Sequence, residues 1–112
     1  MSDTPTAIVA GPDLYDLGDA LKTEGVAVSR ITDIVSTETL ENAGIAEAAL
    51  LVFTDTAEAT GIPVAKENYP DVRVVVYADE SLPEFVKGQA DLAVDPALLD
   101  ASIVAEELVG SL

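Results

Sequence analysis

Ala48-Ala49-Leu50-Leu51-Val52-Phe53 is an unbroken apolar run that meets Thr54-Asp55. It is too short for a typical helix, and with no polar alternate position it has no face to turn to water. Such a strand belongs in the middle of a parallel sheet covered on both sides. Working outward, Ala7-Ile8-Val9-Ala10 precedes it and Val72–Tyr77 follows, the latter interrupted only by Arg73. Two further runs are poorer. Val26–Ile31 contains Ser29 and Arg30, and Leu92-Ala93-Val94 is brief. Stretches with helical spacing separate the runs, and that alternation predicts an α/β fold. Placing the three most apolar strands centrally gives the order 2-1-3-4-5. This is a doubly wound five-stranded parallel sheet, Rossmann- or flavodoxin-like. Residues 1–112 read as a single α/β domain, without repeat or linker.

The helices are expected as follows. The first is capped by Asp13, turns Leu14, Leu17 and Leu21 toward the sheet, and ends at Gly25. The second is short, capped by Ser36 or Thr37 and closed by Gly44. The third runs from about Glu58 to Asn68, with Pro63 kinking it or delaying its start. Leu82, Phe85 and Val86 mark a short fourth. The last runs from about Leu98 to Val109 and buries Leu99, Ile103, Val104 and Leu108.

Hydrophobic residues make up 49% of the chain, with three Tyr, two Phe and no Trp, so the core must be aliphatic. The charge is lopsided: 21 Asp and Glu against 5 Lys and Arg, a formal net charge of −16. The bases Lys22, Arg30, Lys66, Arg73 and Lys87 stand singly. Without a basic stripe, neither nucleic acid nor an anionic membrane is an expected partner. Self-repulsion at this charge weakens the fold in dilute salt, and concentrated salt screens it. The acid excess therefore suits a halophile's salt-loaded cytoplasm; the competing explanation is an acidic protein that docks on a basic partner. The chain has no Cys and no His, which removes thiolate chemistry, disulfides and the commonest general base. The N-terminus is polar and acidic, unlike a signal peptide, and no apolar run approaches the roughly 20 residues of a membrane span. A cytoplasmic location is expected.

All five apolar runs lead to an aspartate: Asp13, Asp33, Asp55, Asp79 and Asp95. In a parallel sheet these acids gather at the C-terminal edge, where open α/β folds bind ligands. Asp13, Asp55, Asp79 and Asp95 together offer carboxylate oxygens to Mg²⁺ or Ca²⁺. Equally, they cap helices and share in a generally acidic surface. Gly11, Pro12, Asp13, Thr32, Asp33, Thr54 and Asp55 are candidate lining for a nucleotide or another small polar ligand; the plain alternative is a set of ordinary strand–helix turns. No catalytic residue is assigned. Thr54 and Thr56 have no base or lysine near in sequence, and Lys66 and Lys87 are isolated. Tyr15, Tyr69 and Tyr77 read as packing residues with their hydroxyls at the surface. The last helix, beside the short fifth strand, is a candidate surface for a homodimer.

Three resemblances add to this reading. Leu40-Glu41-Asn42-Ala43-Gly44-Ile45, the strand into Phe53-Thr54-Asp55, and Ala65–Val74 resemble the nucleotide-binding domain of TrkA-type potassium-transport regulators. That family's glycine fingerprint would fall on Gly11, Asp13 and Asp16, so aspartates replace two of its glycines and put negative charge where a pyrophosphate would approach the backbone. The resemblance implies nucleotide contact at Thr54 and Asp55. Asp13 after the first strand and Asp55 after the third also resemble response-regulator receiver domains, as their metal-binding and phospho-accepting acids. There Ala78 stands where that family carries Ser or Thr, and Asp95-Pro96 where it carries Lys-Pro. Finally, Ala7–Asp13, Ala57–Lys66 and Ser81–Phe85 resemble a family of small haloarchaeal proteins that often carry the label CTP synthetase. Glutamine-dependent CTP synthesis requires a nucleophilic cysteine and a phosphate-binding loop with lysine, and this chain has neither.

Together these features point to a non-enzymatic regulatory or small-ligand-binding module with a degenerate nucleotide-binding fold. The alternatives are a small metal-dependent enzyme that uses the acidic rim, or a protein-interaction subunit.

Overall fold

The computed structural model describes residues 4–12, 15–32, 35–54, 61–78 and 90–110. Five parallel strands form one sheet in the order β2-β1-β3-β4-β5, as the run polarity predicts. They are β1 (Thr6–Ala10), β2 (Ala27–Ile31), β3 (Leu50–Phe53), β4 (Arg73–Tyr77) and β5 (Leu92–Val94). The described helices are α1 (Leu17–Thr23), α2 (Thr37–Asn42), α3 (Gly61–Asn68) and α4 (Ala101–Gly110), with one 3₁₀ turn at Ile45–Glu47. The expected short helix at Leu82, Phe85 and Val86 lies outside the described residues. Among those described, no helix is long and apolar enough to cross a membrane.

The sheet separates two cores by strand alternation. Ile8, Ala10, Leu51, Phe53, Val74 and Val76 face α2 and α3, where Leu40, Ile62 and Ala65 close over them. Ala7, Val9, Leu50, Val52, Val75 and Tyr77 face α1 and α4, meeting Leu17, Leu21, Val104, Ala105 and Leu108. All four β3 residues are buried, as its sequence requires. β2 is largely exposed and pairs only with β1, in keeping with Ser29 and Arg30.

Several boundaries differ from expectation for physical reasons. α1 starts at Leu17, so Asp13 is not its cap; Asp16 holds the N-cap position without a side-chain cap bond. Ser36, not Thr37, caps α2, exchanging bonds with Thr39 in a capping box. Pro63 sits in the first turn of α3, where its missing N–H costs nothing. α4 begins at Ala101, and its buried side is Val104, Ala105 and Leu108. Leu99 and Ile103, expected inside, are 40% and 42% exposed.

Lys66, expected to stand alone, closes the N-terminal edge of the sheet. Its ammonium lies 2.7 Å from Asp91 Oδ2 and 2.9 Å from the Val72 carbonyl. The same carboxylate accepts the Val74 N–H at 2.8 Å, while the Asp91 N–H donates to the Val74 carbonyl. Partial burial raises the Asp91 carboxyl. The Lys66 and Val74 hydrogen bonds and the charges of Lys66 and Arg73 outweigh it, so the net shift is below the ordinary value of 3.8.

A lowered folded value stabilises the fold at pH above the unfolded value, and that stabilisation is lost as acid protonates the Asp91 carboxylate. Asp91→Asn should therefore cost about 1 kcal/mol near neutrality, held to that size by solvent screening. The difference from the parent should shrink toward zero as pH falls below about 4 in denaturant titrations at fixed KCl. Gly61→Ala tests the other end of the α3 layer. A Cβ there would meet Val35 Cγ1 at 2.5 Å and Val35 Cβ at 2.9 Å. Overpacking of that kind should lower stability by about 1–3 kcal/mol in the same assay.

Candidate functional site

The strand order brings three candidate residues into one row at the C-terminal edge. Ala10 pairs with Ile31 on one side and Phe53 on the other, so Thr32, Gly11 and Thr54 follow as neighbours. Gly11 donates its N–H to the Ile31 carbonyl at 3.1 Å, and Thr54 donates its N–H to the Ala10 carbonyl at 3.0 Å. The Thr54 hydroxyl donates to that same carbonyl at 3.2 Å, so it fastens β3 to β1. Pro12 is exposed beside the row. A hollow of about 230 Å³ adjoins it, lined by Arg30, Ile31, Thr32, Thr39, Asn42 and Ala43. The Thr39 hydroxyl there serves the α2 cap, 2.8 Å from the Ser36 N–H.

Asp13, Asp33, Asp55 and Asp79 lie outside the described residues. Of the proposed metal set, Asp95 is described, and it is set apart from the row. β5 is two strands from β3 and three from β1, a separation of roughly 14 Å between Asp95 and the β1 end at the usual strand spacing. Its Oδ1 accepts the Ala97 N–H at 2.9 Å, a capping role for the turn before α4. Among the described residues, no three acids gather as metal ligands would.

Two features of this edge escape sequence reasoning. Tyr77, expected to show its hydroxyl at the surface, is 2% exposed and donates that hydroxyl to the Leu99 carbonyl at 2.8 Å. Tyr15, in the β1–α1 connection, meets its ring edge-on with centroids 5.9 Å apart. No local pattern announces a bond between residues so distant in sequence. The second feature is left-handed backbone: Gly11 has φ 104° and Asp16 φ 57°. Aspartate tolerates that region better than most residues, and Gly11 tolerates it freely.

A five-stranded parallel sheet in this order, with helices on both faces, is the flavodoxin-like fold of receiver domains. The chain belongs to DUF7126, a family of unknown function, which matches residues 7–108. Among solved structures it is similar to HP1043, an orphan response regulator of H. pylori, with 15% identity and a TM-score of 0.72 over 97% of this chain and 98% of that one. A response regulator from Thermotoga maritima is similar at 15% identity and a TM-score of 0.71, over 96% of this chain and 97% of the other. A third similar structure is an atypical orphan response regulator described by a phosphorylation-independent regulatory mechanism. It shares 12% identity at a TM-score of 0.66, covering 94% of this chain and 92% of that one. No curated protein matches the chain. Identities this low speak to the fold.

Gly11→Ala should lower stability by about 1–2 kcal/mol, because a side chain opposes the left-handed conformation. Pro12→Ala, exposed next to it, should change stability by less than about 0.5 kcal/mol. Paired denaturant titrations separate the two.

Proposed function

We propose that this chain is a non-enzymatic regulatory module on a receiver-like scaffold that works without phosphoryl transfer. The composition of the C-terminal edge carries this reading. Ala78 follows β4, Asp95 follows β5, and the Thr54 hydroxyl is turned to the Ala10 carbonyl. In the receiver pattern those first two positions supply a hydroxyl and a lysine. A carboxyl phosphate needs such donors to offset its added negative charge. Here the described residues that follow the five strands are Gly11, Thr32, Thr54, Ala78 and Asp95, and none is cationic. The atypical regulator above supports the reading, since its scaffold serves regulation independently of phosphorylation. The acid excess belongs to the same proposal, as adaptation to a salt-loaded cytoplasm.

The hollow beside Thr32 favours a second reading, a small polar ligand held at the Thr32–Gly11–Thr54 row, with a nucleotide as the first candidate. Both readings meet in one experiment. The protein is incubated in concentrated KCl with Mg²⁺ and acetyl phosphate, then analysed by intact mass and thermal shift. The phosphorylation-independent reading expects no phosphoryl adduct. An adduct that disappears in Asp55→Asn overturns it. The same thermal-shift series with ATP and NAD reads the ligand proposal: a saturable rise in Tm supports it, and no change across the series rejects these nucleotides.

A further inference from the structure

Five large apolar side chains are exposed among the described residues, and four of them occupy β5, the approach to α4 and α4 itself. Leu92, Leu98, Leu99 and Ile103 are 36%, 78%, 40% and 42% exposed. Leu92, Leu99 and Ile103 line one groove of about 470 Å³ between β5 and α4, with Val94 and Val104 in its floor. Glu107 and Arg73 are its charged lining residues. The groove shares Ile103 and Glu107 with a second hollow of about 370 Å³, bounded by Glu106 and Gly110. An apolar groove with two acids, Glu106 and Glu107, on its helical side and one base, Arg73, in its lining is thus left at the edge of the sheet.

We propose that this groove docks a cationic amphipathic helix from a partner protein. Its apolar stripe would lie on Leu92, Leu99 and Ile103, and its Lys and Arg residues would face Glu106 and Glu107. The stripe spacing is that of helix-in-groove recognition. Charge selects the occupant. Pairing two copies along α4 sets Glu106 and Glu107 against their own images, in a chain already carrying −16; a cationic segment converts that repulsion into attraction. Salt then acts unequally on the two parts of the contact. Charge attraction weakens as the Debye length falls, while apolar contact persists. Binding should therefore survive concentrated salt. This goes beyond the regulatory reading by naming a partner chemistry, and it fails separately from it, because phosphorylation assays do not touch the groove.

The test is an NMR titration of the isotope-labelled full chain at about 0.2 M and about 2 M KCl. The probe is a synthetic Leu/Lys peptide with Leu at i, i+3, i+4 and i+7. A scrambled peptide of identical composition and a Leu/Glu peptide of identical pattern serve as controls. The expected result is shifts confined to Leu92, Leu99, Ile103 and their neighbours. At the lower salt, affinity for the patterned Leu/Lys peptide should exceed both controls by about tenfold or more, the factor equivalent to about 1.4 kcal/mol; at the higher salt the margin over the scrambled peptide should remain and that over the Leu/Glu peptide should shrink. Ile103→Asp and, separately, Leu99→Asp should weaken it by a similar factor with Tm unchanged. Equal binding of the scrambled peptide at either salt or of the Leu/Glu peptide at the lower salt, shifts elsewhere, or no binding at either salt overturns the proposal. So does a dimer in sedimentation at both salts that Ile103→Asp dissociates, since the occupant is then a second copy.

Discussion

β3 hydrogen-bonds to β1 and β4 at once, in register Ala7↔Leu50 and Leu50↔Arg73, while both of its faces are buried. A polar substituent at any of its positions would face an apolar layer without a partner, and burying such a group costs several kcal/mol. The double burial therefore forces helices onto both sides of the sheet. It also fixes the ends of the neighbouring strands: once Ala10 is opposite Phe53, Gly11 and Thr54 must stand side by side. The site's geometry is thus a by-product of core packing, and needs no dedicated interaction beyond the Thr54–Ala10 bond.

What the sequence discloses follows from how local each cause is. The burial of Leu50–Phe53 and the exposed edge at Ser29 and Arg30 are written in neighbouring residues, so strand identity and order can be read directly. Leu99 and Ile103 show where this fails. Helical spacing marks them as part of the same stripe as Val104 and Leu108. Yet Leu99 precedes the first helical residue of α4, Ala101, and Ala105 takes the inward position that a larger residue seemed to claim. Small residues carry little weight in a hydrophobicity pattern, although they permit the closest approach. The start of α1 misleads for a related reason, since the backbone at Asp16 is left-handed and sequence rules assign that conformation to glycine. At the site, Gly11, Thr32 and Thr54 could be placed by counting from strand ends. Asp95 could be placed the same way, directly after β5, whereas the choice between metal ligand and cap depended on the Asp95 to Ala97 turn, whose geometry only the fold supplies.

Acidity has a structural counterpart at the opposite edge. The chain holds five bases, and Lys66 is committed to tying α3 to the start of β4 and to Asp91. Two of the three short contacts in that knot, Lys66–Val72 and Asp91–Val74, involve backbone groups. Hydrogen bonds to fixed backbone atoms depend less on ionic strength than a free surface pair does. The N-terminal edge is thereby held in place under salt conditions that would dissolve ordinary surface bridges, leaving the C-terminal edge as the one with unassigned chemistry.

The Tyr77 hydroxyl joins two regions otherwise described apart. Its ring belongs to the end of β4, one residue before Ala78 and in contact with Tyr15 from the β1–α1 connection; its oxygen holds the carbonyl of Leu99, a lining residue of the apolar groove. A bond of 2.8 Å between a buried ring and a backbone atom acts as a rigid strut. Any displacement of the β1–α1 connection that tilts the Tyr77 ring must either break that strut or carry the mouth of the groove with it, so the two edges of the molecule share a single lever arm.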